Sequence, residues 1–208
     1  MDKKIKALAG LLAFATLIIV AYFTYNNLLT RRDAPENLVQ TGANQTETDQ
    51  TDSNQTDSGQ PDSGQAETYR QRAPDITVFD IDGNEVQLSS LFGKPIVLNF
   101  WATWCPSCVQ ESSYFETLYR EMGGDVHFMK VNLMDGRRET RHNVDRFIED
   151  NGFTFPVYFD KTGAASAPYS VRFIPMTFFV DANGNLAATA QGAVDEETLR
   201  QGIDLAKN

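Results

Sequence analysis

An α/β fold, with a central, partly parallel sheet and helices on both faces, is what residues 70–208 of this 208-residue chain predict. Three observations carry the prediction. Stretches with strand-like and helix-like patterning alternate along the chain, which brings successive strands into one sheet. Ile96–Trp101 is an apolar run of strand length, as expected of a strand covered on both sides. Asp82-Gly83-Asn84 and Asp181-Ala182-Asn183-Gly184 each sit between two strand-like stretches and read as hairpin turns.

The elements follow in order. Residues 1–33 read as a cytoplasmic basic tip and a transmembrane anchor: Lys3, Lys4 and Lys6 precede Ala7–Thr30, a run without a charge. About 20 apolar residues cross a hydrocarbon core of roughly 30 Å. A cleaved signal has an apolar stretch of only ~7–15 residues and a small-residue cleavage site after it, and no such site follows here. The leading lysines place the N-terminus inside the cell and the rest of the chain outside, as a single-pass cell-membrane protein. Residues 34–69 read as a disordered polar linker, since 40–68 contain no aromatic, branched aliphatic, Lys or Arg residue. Such a stretch has no apolar surface to offset its ordering entropy. Fully flexible, it has a root-mean-square span of about 35 Å.

The globular part opens with a hairpin, Ile76–Asp80 and Val86–Leu88. The strand Ile96–Trp101 feeds a helix over about Cys105–Glu121, ended by Gly123-Gly124. Val126–Leu133 is a strand, and about Thr140–Asp150 a helix stopped by Gly152. Phe155–Phe159 begins a short strand, and Met176–Val180 with Leu186–Ala190 forms a second hairpin. The last helix covers about Asp195–Lys207.

Composition excludes several roles. With 18 Lys+Arg against 28 Asp+Glu the formal charge is -10, which argues against nucleic acid as a partner. Two cysteines build neither a disulfide scaffold nor a four-cysteine zinc site, and His127 and His142 lie far from them in sequence, so no metal site is expected.

The chemistry is concentrated in Trp104-Cys105-Pro106-Ser107-Cys108, between the apolar strand and a helix. As a structural staple, a four-residue disulfide loop contributes only about 2 kcal/mol. As metal ligands, two sulfurs lack two further partners. As a redox pair the spacing fits. Cys105 at the first turn of a helix meets unpaired N–H groups and the positive end of the helix dipole, which favour its thiolate. Cys108, one turn on, faces the same side and can resolve a mixed disulfide on Cys105. Pro106 suits the first helical turn, where its missing N–H is not needed. Trp104 is expected to shield the sulfur and Trp101 to end a core strand. His127 reads as a strand residue, and His142 as part of a solvated helix face. Tyr114, Phe115, Leu118 and Tyr119 read as core.

Over residues 73–208 the chain resembles the thioredoxin-like proteins of the TlpA/ResA type, which include the CcmG/DsbE reductants. The resemblance is carried by Val97–Cys108, by Phe155-Pro156-Val157 before Asp160, and by Ile174–Asp181; the N-terminal hairpin and the inserted strand–helix unit are also typical of this branch. It implies a thioredoxin-like fold and a cis Pro175 beside the disulfide, with the Ile174 backbone free to pair with an incoming strand. Trp104, Pro106, Ser107, Ile174 and Pro175 would then contact substrate. It also implies a proton acceptor at Glu111, three residues beyond Cys108, because Asn99 stands where thioredoxins proper carry an Asp. Read by itself, Glu111 is equally an exposed helix residue. Relatives often carry a proline where this chain has Ser113. Function follows as an expectation: a membrane-tethered extracytoplasmic thiol–disulfide oxidoreductase with no cofactor beyond the Cys105–Cys108 disulfide. Its electrons would come from a membrane donor of the CcdA/DsbD type. Its substrates would be disulfide-bearing envelope proteins, such as apocytochrome c or a methionine sulfoxide reductase. The alternatives are a peroxidase of the peroxiredoxin group and a non-catalytic envelope binding domain. The first needs Pro-x-x-x-Thr-x-x-Cys, which the residues before Cys105 do not supply.

Overall fold

A computed structural model describes residues 38–40 and 70–208. The anchor expected over 1–33 and most of the linker expected over 34–69 lie outside the described residues. Among the described residues no helix is long and apolar enough to cross a membrane.

The strands are β1 (Leu38–Gln40), β2 (Thr77–Phe79), β3 (Glu85–Gln87), β4 (Ile96–Trp101), β5 (His127–Leu133), β6 (Val157–Asp160), β7 (Met176–Val180) and β8 (Leu186–Gln191). The helices are α1 (Pro106–Met122), α2 (Arg141–Asn151) and α3 (Glu196–Lys207). They form one mixed sheet in the order β1-β8-β7-β4-β5-β6-β2-β3. The β4–β5 and β5–β6 pairs are parallel, and β4 is antiparallel to β7 on its other side.

Every residue of β4 is buried. Strand alternation sends Val97 and Trp101 to one face and Ile96, Leu98 and Phe100 to the other. Phe115 and Leu118 of α1, Val144 of α2, and Leu199 and Ile203 of α3 all join the cluster on the first face. The expectation of helices on both faces is therefore corrected. The second face is closed by Ile76 and Val78 and by two 3-10 turns, Leu88–Leu91 and Ala167–Tyr169. The reason lies in Lys161–Ser170, whose Gly163 at φ 80°, Pro168 and serines allow only a single short turn.

Both hairpins use one device. Asp80 Oδ1 accepts the N–H groups of Asp82 and Asn84, and Asp181 Oδ1 those of Asn183 and Asn185. A glycine at φ 87° completes each turn. The strand β1 was not expected. Leu38 and Val39, the last aliphatic residues before the polar stretch, pair antiparallel with β8, so residues 38–40 of the expected linker belong to the sheet. Gly202 in α3 lets that helix approach the sheet closely: a Cβ there would lie 2.3 Å from the Phe179 ring.

Candidate active site

The loop leaving β4 turns into α1 at Cys105. This residue caps the helix: its Sγ accepts the Cys108 N–H at 3.2 Å, and Pro106 occupies the first helical position. Cys105 and Cys108 form a disulfide with Cα atoms 5.3 Å apart. Their exposures differ where it matters, 5% for Cys105 and none for Cys108. Of the two, Cys105 alone keeps exposed surface and lines the neighbouring groove, and it sits at the positive end of α1.

The Ile174–Pro175 bond is cis, and the Ile174 carbonyl lies 3.8 Å from Cys105 Sγ. Ile174 precedes the first paired residue of β7, outside the sheet's own register. Trp104, Cys105, Pro106, Ser107, Phe173 and Ile174 line a groove of about 480 Å³. Trp104 is 41% exposed, and the Arg138 guanidinium stands 3.6 Å over its ring. It is thus a wall of the groove open to solvent more than a lid over the sulfur.

Beneath the disulfide is a buried polar cluster. Glu111 is fully buried, one turn beyond Cys108 on α1. Its Oε1 accepts from Asn99 Nδ2 at 2.9 Å and its Oε2 from the Val194 N–H at 3.2 Å. Asn99 Nδ2 also donates to Thr177 Oγ1 at 2.9 Å. Burial pushes the Glu111 carboxyl above the usual carboxylate range, and the nearby Lys130 charge and the two N–H donors offset only part of that. The exposed-helix alternative for Glu111 does not hold. With Ser113 in place of a proline, α1 runs unbroken from Pro106 to Met122.

Lys130 is a site residue that the sequence reading passed over. It lies in mid-strand on β5, fully buried, with Nζ 4.1 Å from the Phe115 ring centre, 5.1 Å from Trp101 and 5.3 Å from Phe155. Its Nζ reaches Ser112 Oγ at 3.5 Å, and Ser112 Oγ donates to the Cys108 carbonyl at 2.8 Å. Burial pushes the ammonium down to about 8, against the pull of Glu111. A lysine inside the otherwise apolar stretch Phe128–Val131 was the available signal.

Glu139 was missed as well. Fully buried, it accepts from the Thr103 N–H at 2.9 Å, from Thr103 Oγ1 at 2.7 Å and from Asn132 Nδ2. It thereby fixes the turn that presents Trp104 and Cys105. His127 stands opposite Ile96, at the end of the parallel strands remote from Cys105, and His142 meets Arg146 on the exposed side of α2.

An accessible sulfur at a helix N-terminus, a buried partner sulfur and a cis-proline wall together define a thioredoxin-fold thiol–disulfide oxidoreductase. Residues 69–189 match the AhpC/TSA family, and the chain belongs to it, within its ResA/CcmG-like thioredoxin-fold branch. It is similar to the thiol-disulfide oxidoreductase ResA of Geobacillus thermodenitrificans, with 34% identity over 138 residues, 65% of this chain and 76% of that one. It is also similar to the thioredoxin-like protein YneN of Bacillus subtilis, with 32% identity over 135 residues, 65% and 78% of the two chains. Among solved structures, StoA of Bacillus subtilis superposes with a TM-score of 0.55 at 27% identity, covering 62% of this chain and 96% of that one. The exposed lipoprotein thioredoxin of Streptococcus pneumoniae superposes with a TM-score of 0.53 at 27% identity, covering 63% and 98%.

Proposed function

We propose that this chain is a membrane-tethered, extracytoplasmic enzyme that reduces disulfides in cell-envelope proteins. One observation carries the direction of attack: Cys105 is the open sulfur and Cys108 the sealed one. In the reduced enzyme the Cys105 thiolate attacks a substrate disulfide. A Cys105–substrate S–S bond forms as the substrate's own S–S bond breaks, and the departing sulfur takes up a proton. Cys108 then loses its proton and attacks Cys105 Sγ, expelling the second substrate thiolate and closing the Cys105–Cys108 disulfide. Two electrons pass to the substrate. Glu111, held by Asn99 and the Val194 N–H, takes the Cys108 proton. The Ile174 backbone pairs with the substrate strand, with Pro175, Pro106, Ser107 and Trp104 shaping the contact.

Reduction in an oxidising compartment needs a supply of electrons, here from a membrane donor of the CcdA/DsbD type. The uncharged run Ala7–Thr30 supports an anchor, and the chain has no cysteine before Cys105 to carry a lipid. Apocytochrome c and methionine sulfoxide reductases are the substrate classes the resemblance suggests. Against peroxide reduction stand Leu98 and Ala102, buried where a peroxide-polarising Pro and Thr would be needed.

The test is mixed-disulfide trapping in cells with Cys108→Ala. A disulfide-linked envelope protein on Cys105 is the expected product. Recovery of no adduct, while the wild-type enzyme still cycles between its two redox states, would overturn the order of attack.

A further inference from the structure

The walls of the groove beside Cys105 are apolar, with Trp104, Ile174 and a half-exposed Phe173, yet its rim is cationic. Arg172 lines it directly, and the Arg138 guanidinium lies 3.6 Å over the Trp104 ring. Among the described residues, Arg70, Arg120, Arg141 and Arg200 each have a carboxylate within 4.0 Å, but no such ion pair is formed by Arg138 or Arg172. The acids nearest to Arg138 in sequence are already engaged. Asp135 accepts the N–H groups of Arg137 and Glu139 and feels the Arg138 charge without forming an ion pair with it, and the Glu139 carboxylate is buried against Thr103 and Asn132. The rim also runs against the average of its surroundings, since residues 70–208 carry 13 basic and 19 acidic side chains. A guanidinium stacked on an indole is weakly hydrated and keeps its N–H fork free for a carboxylate.

We propose that this rim selects, among disulfide-bearing partners, those whose reactive cysteine is flanked by Asp or Glu on an extended segment. The inference rests on the oxidoreductase reading above and adds no chemical step to it. The segment lies along Ile174 with its sulfur at Cys105 and its carboxylates at Arg172 and Arg138. Attraction of this kind acts mainly on encounter and is screened by salt.

The experiment uses the full-length chain in detergent and three disulfide-bonded peptides, identical except for Glu, Gln or Lys on either side of one cysteine. The expected kcat/KM order is Glu over Gln over Lys, with the two extremes about tenfold apart at low ionic strength and converging in high salt. The double variant Arg138→Glu, Arg172→Glu reverses the order, and Arg138→Gln, Arg172→Gln removes it. Equal rates for the three peptides in the wild type, or an acidic preference that survives in both double variants, would overturn the proposal. The salt dependence of the wild type decides the matter without any variant. Failure of the wild type to reduce even the Gln peptide would instead remove the oxidoreductase reading, so the two failures are distinguishable.

Discussion

The pairing of Glu111 with Lys130 sets what a single proton can do here. Each buried charge shifts the other: the ammonium holds the carboxyl below where burial alone would put it, and the carboxylate keeps the lysine charged. If the carboxylate takes the Cys108 proton, kcat/KM rises with pH through the Glu111 titration. Lys130→Met removes the one charge that lowers that titration, so the acid limb of the pH profile moves to higher pH. Glu111→Gln removes the limb and slows turnover by about 10²-fold. Stopped-flow rates across pH 4–9 check both, and an acid limb unmoved in Lys130→Met would return the lysine to a packing role. Glu111 was legible because its spacing from Cys108 and its helix are local facts. The aromatic cage of Lys130 draws on β4, α1 and the chain before β6, and nothing local ties Trp101, Phe115 and Phe155 together.

At the level of elements, most boundaries could be read because turn and cap residues mark them. Asp195 caps α3 by accepting the Thr198 N–H, and Gly152 ends α2 at φ 63°. What joins one element to another was not readable. Glu116 on α1 accepts from the Thr154 and Phe155 N–H groups ahead of β6, as Glu139 does from Thr103, so two buried glutamates stitch the inserted α2–β6 unit to the active-site helix and its leading turn. Gly202 gives an element-scale prediction whose sign opposes helix propensity. Alanine in place of a helical glycine ordinarily gains up to ~1 kcal/mol. Here the added methyl meets the fully buried Phe179 ring, and overpacking costs ~1–3 kcal/mol. Gly202→Ala is therefore expected to destabilise the protein by about 1 kcal/mol in urea unfolding. An increase in stability would show that α3 can move off the sheet.

For the molecule as a whole, the parallel run β4–β5–β6 puts α1 and α2 on one side of the sheet and leaves the other to short turns, a layering that alternation of strands and helices alone did not reveal. The same topology sets the turn after β4, the cis Pro175 ahead of β7 and the loop after β5 around a single sulfur. Those three segments lie far apart in sequence. Only the first carries a local motif, so the cysteines are legible in the sequence whereas the placement of Arg138 and Arg172 beside them is not.

The short strand β1 changes how the length of the polar stretch counts. Gln40 pairs with Ala188, and the chain is back on the neighbouring turn where Arg72 bridges Asn185. Residues 41–69 thus depart from and return to points three residues apart on β8 and its turn. With both ends pinned to one edge of the sheet, the stretch closes a bight whose entropic cost depends on its length. Closing a shorter bight is easier, by about 0.6 kcal/mol per halving. Deleting half of 41–69 should raise stability by about that amount and leave disulfide reduction as fast as before. A slower enzyme would mean that the stretch carries sequence information its monotony conceals.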